Sequence, residues 1–340
     1  MNMQYYRYLC CPRCQGDLDL RVACRGPEGV KEGALTCRSC AASFPIVNHI
    51  PRFVPRGNHG RSFAFQWDRF HQLRSDPQNR RAFLELAKGT ILRRTGWPEA
   101  FFGGKMLLEC GCGGGHETEA LLAMGANVIS FDSSNSVDVA LEMNPGRHNL
   151  LILQADIARL PVRRRAFDVV YCHRVLMHTP DPGASFRSIA RRVRPGGAIF
   201  AHAYSKRLKS MMHYRYLLRP FTRRMDPETL LGVLRRCGRC MYRVLGWARR
   251  HNLGVLRHFI PFENVGHLGP KHGIRLTEQA WFEFSLIVVF DSLTPEYDKP
   301  QSWRTMKRWF ETEGMEQIAV RRKKPVVITA RYPAAGSEGR

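Results

Sequence analysis

The chain has 340 residues, of which 44% are hydrophobic, so it is long and apolar enough to bury a core, and its composition excludes a disordered chain. Its 53 Lys and Arg against 29 Asp and Glu give a net charge of +24. Such a charge favours a polyanionic partner (nucleic acid, an acidic membrane surface or a phosphorylated substrate), with a general enrichment in arginine as the alternative. No apolar run reaches the roughly 18 residues of a membrane span, and the first residues lack the apolar stretch of a signal peptide. We therefore expect a cytoplasmic protein.

Residues 1–55 contain two closely spaced cysteine pairs. Cys11 and Cys14 form one C-x-x-C sequence, Cys37 and Cys40 form a second, and 22 residues separate the two. Two such turns bring four thiolates together for tetrahedral zinc, and four sulfurs leave no open position on the metal, so the zinc would be structural. Metal binding would also supply much of the folding free energy of so small a piece. We predict a zinc ribbon over residues 1–55.

Residues 56–104 carry an aromatic stretch followed by a helical pattern. The aromatic side chains are Phe63, Phe65, Trp67 and Phe70, and the helical pattern runs from Arg80 to Arg94. We expect a linker and an N-terminal lid of aromatic and helical residues in this segment.

From Lys105 the pattern alternates between strand and helix. The predicted strands are MLLEC, NVISFD, LLILQA, FDVVYC and AIFAHAY, and the predicted helices are GHETEALLAMG, SSNSVDVALEM and Pro182 to Arg194. Such alternation is typical of a parallel sheet with helices on both faces, so we place an α/β core at residues 105–204. A basic helical insertion is predicted at residues 205–300, and a helix with a closing β-hairpin at residues 301–340.

A glycine-rich turn joins the first predicted strand to the first predicted helix of this core. It reads ECGCGGG from Glu109 to Gly115, and glycines there allow a tight turn and a close approach of the backbone to a ligand. A dinucleotide-binding G-x-G-x-x-G sequence is excluded, because its last position falls on His116. Asp132 ends the second predicted strand, where a carboxylate can accept hydrogen bonds from both hydroxyls of a ribose.

The E-x-G-x-G-x-G pattern of this turn resembles motif I of class I S-adenosylmethionine (SAM)-dependent methyltransferases. QADI after the third strand, FDVVYCHRVLMHTPD at the fourth and RRVRPGGAIF at the fifth resemble later motifs of the same family. The resemblance implies SAM as the cofactor and a Rossmann-like core, whose seven-stranded, mostly parallel sheet is closed by an antiparallel hairpin. In the family, the residues matching Asp156 and Ile157 hold the adenine amine and ring. The cofactor-binding residues implied in this way are Glu109, Gly111, Gly113, Gly115, Asp132, Ser133, Asp156, Ile157, Cys172 and His173.

The resemblance extends beyond the core. The cysteine-rich segment, with ASFPIVNHIPRFVP after its last cysteine, resembles the small zinc-binding activator subunit of RNA and protein methyltransferases. PRFVP, SFAFQWDRF, LLRPFTRRMDPETL and FDSLTPEYDKPQSWRTMKRWFE are similar to segments of bacterial methyltransferases that carry such a ribbon in front of the core. This wider likeness implies no particular substrate.

His178 is the candidate general base, which a hydroxyl acceptor would require. It follows the fourth predicted strand, at the edge of the sheet where the acceptor would meet the methyl group. A structural role in its loop is the alternative. Tyr297 and Asp298 are further candidates for lining the pocket.

Three functions fit these motifs. The first is methyl transfer to a small or carrier-linked acceptor, such as a saccharide or another secondary metabolite. The second is methylation of rRNA or tRNA, which the positive charge favours, although the Asn-Pro-Pro-Tyr-like sequence of many base N-methyltransferases is absent. The third is a non-catalytic SAM-binding or adaptor protein, against which the intact glycines and Asp132 speak.

The predicted insertion carries the densest positive charge. Residues 206–258 contain 14 Lys and Arg and only two acidic residues. On a predicted helix over residues 230–250, an apolar stripe runs beside Arg235, Arg239 and Arg243. The stripe consists of Leu230, Leu234, Cys237, Met241, Val244, Leu245 and Ala248. Because the helix offers no acid to offset these arginines, we expect it to bind an anionic membrane surface, with a solvated helix face as the alternative.

Overall fold

The chain divides into two compact units. The computed structural model describes residues 1–54, 65–67, 77–206, 214–253 and 260–334. The first unit comprises residues 1–60, 87–205 and 297–340, and the second comprises residues 61–86 and 206–296. Parts of the predicted segments lie outside the described residues, namely 55–64 and 68–76 (with Phe63 and Phe70), 207–213, 254–259 and 335–340.

The N-terminal part of the first unit is an antiparallel sheet of four strands in chain order. They are β1 (Leu18–Gly26), β2 (Gly29–Cys37), β3 (Ser43–Val47) and β4 (Ile50–Pro51). Phe44 and Ile46 alternate along β3 and are buried on the same face. One predicted cysteine pair precedes β1, and the other lies at the turn between β2 and β3.

The rest of the first unit is built on a seven-stranded sheet. Its strands are β5 (Met106–Cys110), β6 (Asn127–Asp132), β7 (Leu150–Gln154), β8 (Phe167–Cys172), β9 (Val193–Ala203), β10 (Glu316–Lys323) and β11 (Val326–Arg331). The order across the sheet is β10-β11-β9-β8-β5-β6-β7, with parallel pairing from β9 to β7 and antiparallel pairing of β11 with both its neighbours. This confirms the predicted α/β fold, a Rossmann-like sheet closed by an antiparallel hairpin.

Helices occupy most of the connections. In chain order they are α1 (Pro77–Thr95), α2 (His116–Ala123), α3 (Ser136–Met143), α4 (Pro182–Ala190), α5 (Tyr214–Thr222), α6 (Pro227–Arg250), α7 (Leu268–His272), α8 (Glu278–Leu293) and α9 (Trp303–Thr312). The predicted pattern from Arg80 to Arg94 lies within α1. Among the helices that the structure describes, none is both long and apolar enough to cross a membrane.

The N-terminal sheet packs against the edge of the large sheet within the first unit. Arg52, which follows β4, pairs with Gln154 of the edge strand β7, and the N–H of Phe53 donates to the carbonyl oxygen of Gln154 at 2.8 Å. The guanidinium of Arg52 also forms an ion pair with Asp138 at 2.6 Å. The end of β7 is thereby covered, which protects an otherwise open sheet edge.

The second unit is helical, and its core forms around α8, in which Phe282, Leu286 and Phe290 are buried. The residues that α6 buries are Leu230, Leu231, Gly238, Tyr242, Leu245 and Ala248. Part of the predicted stripe therefore packs inside this unit. Cys237 and Val244, which the stripe includes, are exposed instead. The reason is that the buried face is centred near Gly238, where a Cβ would lie 2.4 Å from the ring of Phe262.

Candidate functional site

Three glycines of the turn between β5 and α2 have left-handed backbone conformations. Their φ angles are +74° at Gly111, +51° at Gly113 and +80° at Gly115. A Cβ on Gly111 would lie 2.3 Å from a methyl carbon of Val175, and one on Gly115 would lie 2.9 Å from the Cα of Ala140. Packing and backbone conformation therefore both require glycine at these two positions.

Asp132, the last residue of β6, ties the glycine turn to the next loop. Its Oδ2 accepts a hydrogen bond from the N–H of Gly113 at 3.1 Å, and its Oδ1 accepts from the N–H and the hydroxyl of Ser134 at 2.9 and 2.8 Å. A carboxylate offers about four lone-pair positions, so Oδ2 can accept one more hydrogen bond. Oδ2 could therefore accept a hydrogen bond from one of the two ribose hydroxyls predicted to bind Asp132.

Glu109 lies under the turn, in the interior of the sheet. Its buried carboxylate accepts hydrogen bonds from Ser130 and, at 2.6 Å, from Thr118. Burial raises the pKa of Glu109 to about 7, although the two hydroxyl hydrogen bonds act in the opposite direction. Glu109 thus contacts the first half of α2 and the neighbouring strand, and its predicted contact with the cofactor stays a prediction.

The other predicted cofactor residues follow the ends of β6, β7 and β8. The carbonyl oxygen of Ser133 accepts a hydrogen bond from the side chain of Gln154 at 3.3 Å. Asp156 is half-buried, whereas Ile157 and Cys172 are buried. Because parallel strands end at one edge of a sheet, these residues share that edge with the glycine turn.

A buried polar cluster surrounds the end of β8, and His173 is the member of it that was predicted from the sequence. Nδ1 of His173 is 2.6 Å from Oε1 of Glu117, and its Nε2 contacts the guanidinium of Arg94. The hydroxyl of Tyr171 donates to Glu117 at 3.0 Å. Because arginine can only donate, the ring proton of His173 is on Nδ1 and points at Glu117. Burial lowers the pKa of His173. Burial alone would raise the pKa of Glu117, but the contacts of Glu117 with His173 lower this pKa to about 2.

Two more histidines extend this cluster along the same edge. His202, near the end of β9, is 1% exposed, and its ring lies 4.8 Å from that of His173. Within the described part of the chain, no group hydrogen-bonds to Nδ1 of His202. Burial lowers the pKa of His202 well below its usual value. His178, the predicted base, is half-buried, and its Nδ1 lies 3.0 Å from the carbonyl oxygen of Tyr297, one of the predicted pocket residues.

The four predicted zinc ligands meet at one end of the N-terminal sheet. Sγ of Cys11 is 3.6 Å from Sγ of Cys40, Sγ of Cys14 is 3.4 Å from Sγ of Cys37, and all four sulfurs lie within 4.8 Å of one another. Sulfurs bound to a tetrahedral zinc at about 2.3 Å lie about 3.8 Å apart. The donor set and its spacing therefore fit that metal.

The two cysteine turns share one backbone geometry. The residue after each pair is left-handed, with φ of +63° at Gln15 and +54° at Ala41. The N–H of Gln15 donates to the carbonyl oxygen of Cys11 at 2.8 Å, and that of Ala41 to the carbonyl oxygen of Cys37 at 3.0 Å. Each pair is thus held by the same tight turn, which directs both of its sulfurs to the common point.

Comparison with known proteins identifies the large sheet. Residues 108–201 match the family model described as a methyltransferase domain. The chain is 32% identical over 124 residues to the ubiquinone biosynthesis O-methyltransferase of Cupriavidus pinatubonensis, covering 35% of this chain and 50% of that protein. It is 34% identical over 112 residues to the enzyme of the same name from Coxiella burnetii, covering 32% of this chain and 48% of that protein. The chain thus spans about half the length of the curated relatives it matches.

One solved structure is similar to the chain over a longer stretch. It is an S-adenosylmethionine-dependent methyltransferase from Mesorhizobium loti, 15% identical, with a TM-score of 0.40 over 73% of this chain and 99% of that chain. The residues that match the family model run from β5 to β9 and include the glycine turn. Residues 108–201, within the large Rossmann-like sheet, therefore form a methyltransferase domain.

Proposed function

We propose that the protein transfers a methyl group from SAM to a hydroxyl of a small or carrier-linked acceptor, such as a saccharide or another secondary metabolite. The observation that carries this proposal is the position of Asp132, which holds the glycine turn and the next loop together at the carboxyl edge of the sheet. The curated relatives are named O-methyltransferases of ubiquinone biosynthesis, which supports a hydroxyl on a small molecule over RNA as the acceptor.

The cofactor would be held by the ends of β5, β6 and β7. Asp132 would accept a hydrogen bond from a ribose hydroxyl through Oδ2, and the glycine turn would let the backbone approach the ligand closely. By resemblance, Asp156 and Ile157 would hold the adenine. SAM supplies a methyl group on a positively charged sulfonium, so the protein has to contribute mainly alignment.

His178 would take the proton of the acceptor hydroxyl. A backbone carbonyl can only accept a hydrogen bond, so the contact with Tyr297 places the ring proton on Nδ1 and the lone pair on Nε2. Nε2 is then the atom that can act as the base. His173 is less suited to this role, because Glu117 and Arg94 engage both of its ring nitrogens. We assign it the task of fixing the end of β8.

The N-terminal sheet would bind one structural zinc through Cys11, Cys14, Cys37 and Cys40. Four sulfur ligands close the coordination sphere, so the metal would stabilise the sheet and take no part in methyl transfer. Zinc bound by thiolates requires reduced cysteines, which supports the expectation of a cytoplasmic protein.

The proposal is tested by measuring SAM binding to Asp132→Ala by calorimetry. Hydrogen bonds to a charged acceptor contribute about 1.5–3 kcal/mol, so we expect the affinity to fall about 10- to 150-fold. Glu142→Ala removes an exposed carboxylate from α3, outside the predicted site, and serves as the matched control. Wild-type protein that binds no SAM, or equal affinities in Asp132→Ala and wild type, would overturn the proposal.

A further inference from the structure

α6 has an exposed face, opposite the one that packs in the core of the second unit. On this face Val233, Val244 and Trp247 are 48%, 39% and 48% exposed, and Cys237 and Cys240 are exposed between them. At about 100° per residue these five side chains fall on one strip along the helix. We call it the outer apolar strip, to distinguish it from the residues of α6 that are buried.

A row of arginines runs beside the outer apolar strip. Arg236, Arg243 and Arg250 follow one another at intervals of seven residues, which brings them nearly into line, and all three are exposed. Within the described residues, no hydrogen bond or ion pair involves their side chains. Apart from Glu228 in its first turn, α6 contains no acidic residue. The exposed face therefore carries positive charge that nothing on the helix offsets.

The arginines first predicted to bind an anion differ from this row. Arg235 forms an ion pair with Glu283 at 2.8 Å, and Arg239 donates to the side chain of Gln279 at 2.8 Å. The helix itself offers these arginines no acid, but Glu283 of another helix, α8, offsets the charge of Arg235. Glu283 lies on α8, far along the chain, so the sequence of α6 could not indicate the pair.

Exposed apolar side chains are concentrated in the same unit. Of the nine exposed large hydrophobic residues in the described part of the chain, seven lie between Leu217 and Leu253. On α5, Leu217 is 69% and Phe221 is 71% exposed. Large apolar groups beside unpaired guanidinium groups suit the surface of an anionic membrane, where the apolar groups enter the headgroup region and the guanidinium groups bind phosphates. An RNA would bind the charges but would leave the apolar groups in water.

We propose that the outer apolar strip and the row of Arg236, Arg243 and Arg250 form a docking surface for an anionic lipid bilayer. Val233, Val244 and Trp247 enter the headgroup region, and the three guanidinium groups contact lipid phosphates. The interaction is salt-sensitive, because screening weakens contacts between exposed charges. The surface contains none of the predicted cofactor residues, so each variant should still bind SAM.

The test is co-sedimentation of the full chain with vesicles of phosphatidylglycerol and phosphatidylcholine in equal parts, and with vesicles of phosphatidylcholine alone. We expect binding to the anionic vesicles at about 0.05 M salt and its loss at about 0.5 M salt. An arginine near an anionic surface contributes about five-fold, or about 1 kcal/mol. The R236Q/R243Q/R250Q variant should therefore bind about 100-fold more weakly, and Trp247→Ser should also bind more weakly.

The matched control is R21Q/R147Q/R187Q, which removes the same charge from three exposed arginines of the first unit. It should retain most of the binding if the surface of α6 is responsible. The proposal is overturned if wild-type protein ignores anionic vesicles, or if both triple variants lose binding equally. It is also overturned if the R236Q/R243Q/R250Q variant loses affinity for a polyuridine RNA while its vesicle binding is unchanged.

Discussion

Glu109→Gln tests whether burial beneath the glycine turn raises the pKa of Glu109 in the folded chain. Glu109 is buried, with hydroxyl hydrogen bonds from Thr118 and Ser130, and burial raises its pKa from 4.5 to about 7. The unfolded chain loses this proton near pH 4.5 and the folded chain near pH 7. Between these values the folded state binds the extra proton, so the free energy of unfolding falls as the pH rises through this window.

The size of the effect follows from the same pKa values. At about 1.36 kcal/mol per pH unit, a rise from 4.5 to about 7 corresponds to about 3 kcal/mol of stability that is present at pH 4.5 and lost above pH 7. Glutamine has nearly the same shape and carries no charge at any pH. Any constant effect of the substitution on packing or hydrogen bonding is the same at low and high pH. The variant should therefore gain stability over the wild type only as the pH rises.

The assay is urea unfolding of wild-type protein and Glu109→Gln at about pH 5 and about pH 8.5, with metal retained and SAM absent. We expect the stability difference between variant and wild type to shift by about 2.5 kcal/mol in favour of the variant at the higher pH, because part of the effect is already lost at about pH 5. Glu142→Gln, which neutralises an exposed carboxylate, should show no such shift. The same difference at both pH values would refute the reasoning, because Glu109 would then ionise as readily in the folded chain as in the unfolded one.

Two further predictions concern the metal and the candidate base. Mass spectrometry of purified protein should find one zinc per chain, and Cys37→Ser should lose it, because three thiolates remain; a folded, metal-free wild-type ribbon would contradict this. His178→Ala should lower turnover about 10²- to 10⁴-fold with little change in SAM affinity, whereas near-normal turnover with the acceptor would leave His178 a structural role.

Features that depend on a few adjacent residues could be predicted from the sequence. The strands from Met106 to Ala203 show as short apolar runs, the glycine turn lies within seven residues, and each cysteine pair forms one turn. The sheet order then follows from the family that these motifs resemble. Such local patterns are sufficient because backbone conformation in a turn or a strand depends mostly on neighbouring residues.

Contacts between distant residues could not be predicted in this way. Arg94 and His173 are 79 residues apart, and Arg52 and Gln154 are 102 residues apart. The sequence around Arg94 predicts only a charged side chain on a helix, and the sequence around Arg52 only one after a strand. Neither sequence indicates the partner residue. The proximity of His173 and His202 could have been predicted from the sheet register. Cys172 pairs with Ala201 in the parallel register of β8 and β9, which places His173 beside His202 once that register is known.

The ribbon reaches the predicted cofactor segment through a short chain of contacts. Arg52 donates to Oε1 of Gln154 at 3.1 Å, and Nε2 of Gln154 donates to the carbonyl oxygen of Ser133 at 3.3 Å. Ser133 directly follows Asp132, the residue on which the proposed function depends. Through these contacts an ordered ribbon would help to order the loop after β6.

The zinc-free Cys37→Ser variant is for this reason expected to bind SAM more weakly, although Cys37 is not a predicted cofactor residue. Coupling of this kind typically amounts to about 0.5–2 kcal/mol, or about 2- to 30-fold in affinity. Arg52→Ala, with zinc still bound, removes the contact to Gln154 and should reproduce the weakening without disturbing the metal. Calorimetry measures the SAM affinity of both variants. A loss confined to Cys37→Ser would mean that the ribbon acts by another route, and unchanged affinity in both would show that the ribbon and the cofactor segment are energetically independent.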